Sequence, residues 1–116
     1  MADIKARIAK RVAKEMHNGD VVNLGIGLPT MVPQFIPEDI VVTLHSENGF
    51  AGLAGPVTEE AEVDTDVIDS GGTYVKTVDR VKYFDASDSF GIIRGGHVDA
   101  TVLGAMQVAP NGDLAN

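Results

Sequence analysis

Hydrophobic residues near the start of the chain follow a helical period. Between residues 4 and 17 an apolar side chain occurs at every fourth position: Ile4, Ile8, Val12 and Met16. This spacing predicts an amphipathic helix, with Asp3 as its N-cap and the Asn-Gly pair at 18–19 as its C-terminal stop. The charged residues on the other face are interpreted as solvent-exposed surface rather than as a membrane-binding face.

Two unbroken apolar stretches follow, and each predicts a buried strand. The first, VVNLGIG at 21–27, runs into a glycine turn, after which Pro29 lies in the first turn of a short helical segment. Pro37 and the acidic pair at 38–39 end that segment. The second buried strand is predicted at Ile40–Leu44.

The rest of the chain alternates polar turns with shorter apolar stretches. Ser46–Pro56 is predicted to be a loop, because glycine occurs at positions 49, 52 and 55. After it we predict an exposed strand in VDTDVID (63–69), a turn at 70–72 and a strand in TYVKTV (73–78). A helix is predicted at Ser87–Arg94, with a cap in Asp85–Asp88 and a stop at Gly95-Gly96. The last predicted elements are a strand at Asp99–Val108 and a hairpin or loop in PNGDLAN (110–116).

Strands that alternate with helices predict an α/β fold with an open, largely parallel sheet flanked by helices. Residues 1–116 form a single domain in this interpretation. Because PNGDLAN is followed by no further element, we expect the domain to be incomplete at its C-terminal end. In open α/β sheets ligands bind beyond the carboxyl ends of the strands, and the segments GIGLPT and SENG are both predicted to lie there.

Composition limits the classes of function. The chain has 9 basic and 17 acidic residues, and five of the basic residues lie in the first fourteen positions. The remainder is strongly acidic, which disfavours a nucleic-acid-binding surface. No apolar run approaches the ~20 residues of a membrane span, and no signal-peptide core is visible, so a cytoplasmic location without membrane association is expected. The absence of cysteine excludes disulfides, thiolate metal sites and a cysteine nucleophile.

The segment GIGLPT at 25–30 is one candidate ligand site. Glycines let the backbone come close to a ligand, and a helix N-terminus offers N–H donors to an anion. Thr30 stands where a dinucleotide fingerprint has its third glycine, so Gly25 and Gly27 alone favour a strand-to-helix turn without a ligand. Asn23 is polar within an apolar strand and needs a hydrogen-bonding partner; it either has a structural role or orients a substrate carboxylate.

A second glycine pair occurs in IIRGGHVD at 92–99. Gly95 and Gly96 are interpreted first as the turn from a helix to a strand. Arg94 and His97 are candidates for ligand contact, but cations near a helix C-terminus also interact favourably with the helix dipole.

No metal site is predicted. The three histidines, at positions 17, 45 and 97, lack metal-ligand spacing. The acidic segment at 58–69 lacks the glycine and the terminal glutamate of a calcium loop at the required positions, so it is interpreted as a solvated acidic edge.

Glu47 is the main candidate for a chemical role. It follows an apolar strand within TLHSENGFAG (43–52). The Asn-Gly pair after it is typical of a tight turn with a solvated glutamate, and the pattern alone leaves that interpretation open. Its predicted place at the carboxyl edge of a parallel sheet favours a reagent, and a carboxylate acts either as a general base or as a covalent nucleophile.

Three motifs occur in an order that resembles a known family. They are NLGIGLPT, then SENG after an apolar strand, then SFGIIRGGHVDATVLGAMQV. Together they closely resemble the β subunit of family I CoA-transferases, which include the 3-oxoacid, acetate, butyrate and acetoacetate CoA-transferases. The resemblance covers essentially the whole chain, is least distinctive at 58–66, and depends most on the family-diagnostic SENG.

The resemblance implies a CoA-transferase-like fold, similar to that of sugar-phosphate isomerases, and a ping-pong transfer of CoA between a short-chain acyl-CoA or 3-oxoacyl-CoA and a carboxylic acid. Glu47 matches the family's nucleophile, which forms a glutamyl-CoA thioester. Asn23 matches the asparagine for the substrate carboxylate. The other positions in motifs implied to bind substrate or CoA are Gly25, Gly27, Ser46, Asn48, Gly49, Gly95 and Gly96.

Partners are implied as well. Coenzyme A is a substrate, no cofactor is bound permanently, and an α subunit completes CoA binding in an αβ or α2β2 hetero-oligomer. The family's β subunits are longer, and a GMGGAMD-type segment with an oxyanion-hole N–H would lie beyond Asn116. Two alternatives remain open: a non-catalytic assembly or binding module of the same fold, and a sugar-phosphate isomerase or deaminase, of which SENG is not the signature.

Overall fold

A computed structural model describes residues 2–116 of the chain. The helices are α1 (Ala2–Ala13) and α2 (Ala86–Arg94), with 3-10 helices at Leu28–Phe35 and Glu60–Glu62. The strands are β1 (Val21–Leu24), β2 (Thr43–Ser46), β3 (Phe50–Pro56), β4 (Val75–Tyr83), β5 (Ala100–Val102), β6 (Gln107–Val108) and β7 (Leu114–Ala115). No helix within these residues is long and apolar enough to span a membrane.

Five of the strands form one mixed sheet in the order β4-β3-β2-β1-β5. β1 is the middle strand of a parallel unit and pairs with β2 on one side and β5 on the other. β3 and β4 extend the sheet by antiparallel pairing. The predicted open α/β sheet is therefore confirmed, and its parallel part is the unit β2-β1-β5.

The hydrophobic core lies on one face of the parallel unit. Its buried residues come from α1 and the turn after it, the first 3-10 helix, β1 and β2: Ala9, Ala13, Met16, Val22, Leu24, Val32 and Leu44. Side chains alternate between the two faces along a strand, so Asn23 and His45 point to the opposite face. There Ser89 of α2 contacts His45, and α2 flanks the sheet on that side.

The first helix begins earlier and ends earlier than the predicted range of 4–17. Because it starts at Ala2, Asp3 lies in its first turn and does not cap it. Beyond Ala13 the backbone bonds change to the i→i−3 type, as in Glu15 N–H to the Val12 carbonyl at 2.9 Å. A tighter coil thus replaces the predicted last turn.

The buried face of α1 also differs from the predicted one. Ala9 is fully buried, whereas Ile4 and Ile8 are 49% and 44% exposed. The helix therefore packs mainly against the first 3-10 helix and enters the core through small side chains, and the isoleucines lie beside this contact instead of within it.

The second strand begins three residues later and ends two residues later than the predicted Ile40–Leu44. Val41 donates its N–H to Asn18 Oδ1 at 2.8 Å and accepts from Gly19 N–H at 2.7 Å, so its backbone binds a loop and not β1. Pairing with β1 begins at Thr43. His45 consequently lies inside the strand, although the sequence placed it after the strand.

The predicted loop at Ser46–Pro56 is instead a turn followed by β3, which pairs with β2 and β4. The prediction was wrong because glycine was interpreted as a loop signal. Gly52 has a φ of +117°, and a Cβ built on it would lie 2.9 Å from Val78 Cγ2 on β4. Glycine here permits the close approach of two strands at a register irregularity.

Three further strand predictions were inaccurate. Residues 63–69 form no strand; they follow a 3-10 helix and contribute only an isolated bridge between Ile68 and Tyr74. The strand predicted at 73–78 continues to Tyr83 as β4. The range 99–108 divides into β5 and β6, and β6 pairs with β7, which confirms the hairpin expected in PNGDLAN.

The capping predictions for α2 are confirmed. Asp85 caps the helix by accepting the Asp88 N–H at 2.7 Å. The helix ends at Arg94 with Gly95 as its C-cap, and Gly96 takes a φ of +76°. The first 3-10 helix likewise begins with Pro29 in its first turn, as predicted.

Candidate functional site

The turn that carries Glu47 joins β2 to β3. Ser46 pairs with Phe50, so the hairpin loop contains three residues, and the Gly49 N–H donates to the Ser46 carbonyl at 3.1 Å. Gly49 has a φ of +141°, and a Cβ at this position would lie 2.5 Å from the Phe84 carbonyl oxygen. The Phe84 N–H also donates to the Gly49 carbonyl at 2.9 Å. The turn is therefore held between β2 and the segment before α2.

Glu47 lies directly after β2, at the edge of the sheet where β1 and β2 both end. Its side chain is half-buried, and no basic side chain within residues 2–116 forms an ion pair with its carboxylate. Its backbone carbonyl accepts a hydrogen bond from Ser89 Oγ at 2.7 Å. The backbone of Glu47 is thus anchored while its carboxylate is left available.

The neighbours of Glu47 stabilise the turn. Ser46 Oγ donates to Asn48 Oδ1 at 2.5 Å, and Asn48 Nδ2 donates to the Ile68 carbonyl at 2.7 Å. Ser46 is buried, whereas Asn48 is exposed. The structure therefore shows these two predicted site residues beside Glu47 in a supporting role, and their contact with a substrate stays a prediction.

The GIG turn lies at the same edge, after β1. The Gly25 N–H donates to the Val102 carbonyl at 2.8 Å, and this glycine is buried against β5. Gly27 has a φ of +87°, no atom of the described residues lies within 4 Å of a Cβ built on it, and its carbonyl accepts from Thr30 Oγ1 at 2.6 Å. Gly25 is thus occupied by sheet pairing, while Gly27 faces open space where a ligand has room.

Asn23 is 1% exposed, and its Nδ2 lies 3.0 Å from His45 Nδ1. The hydrogen-bonding partner that the sequence required is therefore a buried histidine on the neighbouring strand. This arrangement supports the structural role for Asn23; its match to a substrate-binding asparagine stays a prediction.

His45 and Ser89 were missed as site residues. His45 Nε2 lies 3.0 Å from Ser89 Oγ, the hydroxyl that donates to the Glu47 carbonyl. Burial lowers the pKa of His45, and the Glu47 carboxylate partly opposes this by raising it. The His45 ring also stacks on Phe84, with centroids 5.7 Å apart. A polar residue at the end of an apolar strand was the available signal, but the strand was predicted to stop before it.

Gly95 and Gly96 lie at the far end of α2. Gly95 lies six positions after Ser89, which corresponds to about 9 Å along a helix. Next to them His97 lines an open cleft of about 460 Å³ between α2 and Phe84. The structure therefore does not bring this glycine pair into direct contact with the turn of Glu47, and its contact with a substrate stays a prediction.

A cavity of about 340 Å³ opens between the first 3-10 helix, the ends of β1 and β2, and β3. Apolar and polar residues line it in similar number, and the polar ones include His45, Ser46, Thr30 and Asp69. Among the described residues no lysine or arginine lines it, so they offer no cation to a phosphate group there. Within residues 2–116 no three histidine or acidic side chains are grouped around a metal-sized space, and the expectation of no metal stays a prediction.

Comparison with known proteins identifies relatives of the chain. A family model described as coenzyme A transferase matches residues 5–116. The β subunit of acetate CoA-transferase from Escherichia coli K12 is 53% identical over 98% of this chain and 51% of that protein. The B subunit of a probable succinyl-CoA:3-ketoacid coenzyme A transferase from Bacillus subtilis is 45% identical over 100% of this chain and 53% of that protein. The chain thus spans about half the length of these curated relatives.

Comparison with solved structures supports the fold. The crystal structure of the acyl-CoA transferase YdiF apoenzyme from Escherichia coli O157:H7 matches with a TM-score of 0.65 and 21% identity. The match covers 97% of this chain and 19% of that chain. At this identity the likeness concerns the fold alone.

Proposed function

We infer, because this chain belongs to the coenzyme A transferase family, that it supplies the nucleophile of an enzyme that transfers CoA between an acyl-CoA and a carboxylic acid. The observation that carries the proposal is the position of Glu47. Its carboxylate is half-buried and free of ion pairs within the described residues, in a turn at the carboxyl edge of parallel strands.

In the first half-reaction a Glu47 carboxylate oxygen attacks the thioester carbonyl carbon of the acyl-CoA. The C–S bond breaks, CoA leaves as the thiolate, and an acyl-glutamyl anhydride remains. The thiolate then attacks the glutamyl carbonyl carbon, which releases the original acid as a carboxylate and leaves a glutamyl-CoA thioester. This covalent route divides one difficult exchange into easier steps.

The second half-reaction reverses these steps with a new acid. The incoming carboxylate attacks the glutamyl thioester, the thiolate leaves, and the thiolate then attacks the acyl carbonyl of the new anhydride. The products are a new acyl-CoA and the free Glu47 carboxylate, with no net proton transfer. Water has to be excluded, because it would hydrolyse the anhydride and lose the energy of the thioester.

Each tetrahedral intermediate needs donors for its oxyanion. The N–H groups of Gly25 and Gly49 already donate to the Val102 and Ser46 carbonyls. We therefore assign oxyanion stabilisation to other groups of the assembled enzyme. Gly27, Asn48 and the Gly95-Gly96 pair stay proposed contacts for substrate or CoA.

A partner subunit fits this division of roles. The two relatives described above are named as a β subunit and a B subunit. The phosphates of CoA need cations, whereas this chain has a net charge of −8 and, among its described residues, no lysine or arginine that lines the 340 Å³ cavity. We propose a hetero-oligomer, αβ or α2β2, in which an α subunit completes the CoA site; CoA is a substrate and no permanent cofactor is required. A cytoplasmic location remains part of the proposal.

The test is to mix the chain and an α subunit with acetoacetyl-CoA, trap with borohydride or hydroxylamine, and locate the modified residue by mass spectrometry. We expect modification at Glu47 and none in Glu47→Gln. Glu38→Gln, the same change at an exposed residue before β2, is the matched control and should react as the wild type does.

Modification at another residue, or full turnover by Glu47→Gln, would show that Glu47 is not the nucleophile. If the chain binds the α subunit and yet acquires no modification, the alternative of a non-catalytic assembly module is favoured.

A further inference from the structure

Three buried polar side chains form a continuous chain of hydrogen bonds that ends at the backbone of Glu47. Asn23 Nδ2 lies 3.0 Å from His45 Nδ1, His45 Nε2 lies 3.0 Å from Ser89 Oγ, and Ser89 Oγ donates to the Glu47 carbonyl at 2.7 Å. Asn23, His45 and Ser89 are 1%, 2% and 0% exposed. Because water does not reach these side chains, each must satisfy its polar atoms within the protein.

The partners determine where the protons lie. A serine hydroxyl has one hydrogen, and that of Ser89 points to the Glu47 carbonyl, so Ser89 can only accept from His45. Nε2 of His45 therefore carries a hydrogen. The amide nitrogen of Asn23 is a donor only, so Nδ1 of His45 must accept. One neutral imidazole tautomer satisfies both contacts, and burial acts in the same direction by lowering the pKa of His45.

We infer that His45 is a positioning residue for Glu47, which acts through Ser89 and only as the neutral tautomer with its proton on Nε2. The inference rests on the proposed role of Glu47 as nucleophile. His45 does not contact the reacting atoms. It orients the Ser89 hydroxyl, and that hydroxyl holds the Glu47 carbonyl by a hydrogen bond of 2.7 Å.

The arrangement matters because the other hydrogen bonds of the turn act on the residues next to Glu47 and not on its carbonyl. The Gly49 bonds to Ser46 and Phe84 hold the end of the turn, whereas the Ser89 hydroxyl is the contact on the Glu47 carbonyl itself. A change of about 1 Å in the position of a reacting group costs on the order of 100-fold in rate. Loss of the chain of bonds should therefore slow chemistry at Glu47 more than it alters binding.

The hydrogen-bond arrangement is tested on the chain itself by nitrogen-15 NMR of the imidazole at neutral pH. We expect His45 Nε2 to carry a slowly exchanging proton and Nδ1 to have the shift of an acceptor. Ser89→Ala should move the carbonyl-carbon resonance of Glu47, whereas Ser87→Ala, an exposed serine of the same helix, should not. A proton on Nδ1, or no response of Glu47 to Ser89→Ala, would overturn the inference.

The positioning role is tested in the complex with the α subunit, with acetoacetyl-CoA as substrate. His45→Gln keeps one acceptor and one donor, whereas His45→Leu fills the space without either. We expect His45→Leu to lower kcat about 10- to 100-fold with little change in KM, and His45→Gln to retain most of kcat. Thermal unfolding of both variants, and the kcat of Ser89→Ala, separate this effect from a failure to fold.

The outcomes distinguish the inference from the proposed function. If the wild type is modified at Glu47 and both His45→Leu and His45→Gln have the kcat of the wild type, the positioning role is wrong although the proposed function stands. If NMR shows the expected tautomer but the wild type is not modified at Glu47, the proposed function fails and the positioning role fails with it.

Discussion

Gly49→Ala tests the constraint that shapes the turn around Glu47. A Cβ at this position would lie 2.5 Å from the Phe84 carbonyl oxygen, and the residue would keep a φ of +141°. A non-glycine residue at such a φ costs about 1–3 kcal/mol. Displacement of Phe84 also weakens its hydrogen bond to the Gly49 carbonyl, now 2.9 Å long, which adds about 1 kcal/mol. We expect the free energy of unfolding to fall by about 2–4 kcal/mol.

Alanine substitutions at two further glycines separate the conformational strain at a positive φ from the close contact with Phe84. Gly27 has a φ of +87° with open space around a built Cβ, so Gly27→Ala measures the conformational strain alone. Gly91 lies within α2, also with nothing within 4 Å, so Gly91→Ala should stabilise the protein by up to about 1 kcal/mol. The predicted order of stability is Gly91→Ala, wild type, Gly27→Ala, Gly49→Ala.

Urea and thermal unfolding followed by circular dichroism measure this order. For a domain of this length the loss at Gly49 corresponds to a decrease in Tm of about 10 °C. If Gly49→Ala is no less stable than Gly27→Ala, the close contact with Phe84 does not constrain the turn, and the described geometry of the site would be refuted.

Two further predictions concern α2 and His45. Asp85→Ala removes the acceptor for the Asp88 N–H and should cost about 1 kcal/mol, measured by urea unfolding; an unchanged midpoint would contradict the cap. Burial lowers the pKa of His45 in the folded state, so the unfolded state binds a proton at this residue more readily than the folded state does. Neutral His45 therefore contributes fully to the free energy of unfolding above pH ~6.5, and this contribution is lost as pH falls through the folded pKa. Asn23 and Ser89 are the uncharged partners, and only the Glu47 carboxylate opposes the effect. His45→Gln should flatten the profile of stability against pH below that value; equal profiles for the wild type and His45→Gln would contradict the prediction.

Several parts of the fold were predictable because their signals are local. The Asp85 cap acts on an N–H three residues away, and Gly95-Gly96 ends the same helix within one turn. The Asn-Gly pair after Glu47 is typical of a tight turn, one of the interpretations left open, and the structure has such a turn between β2 and β3. Such signals depend on a few neighbouring residues and need no knowledge of the rest of the chain.

Strand boundaries were less predictable because pairing decides them. The apolar run at Ile40–Leu44 looked like a strand, but the backbone of Val41 binds the loop at 18–19 and pairing with β1 begins at Thr43. The glycines of β3 are typical of a loop, but in the structure they permit the close approach of β4. In both cases the deciding partner lies far away in the sequence.

The sequence by itself determined that Glu47 follows an apolar strand and precedes an Asn-Gly pair, and its motifs indicated the family. Only the tertiary structure decided what surrounds that turn. Asn23 and His45 are 22 residues apart, and His45 and Ser89 are 44 apart, yet their side chains form one buried chain of hydrogen bonds. A local sequence pattern cannot predict such contacts, because the hydrogen-bonding partner of a buried polar atom depends on which strand or helix packs against it.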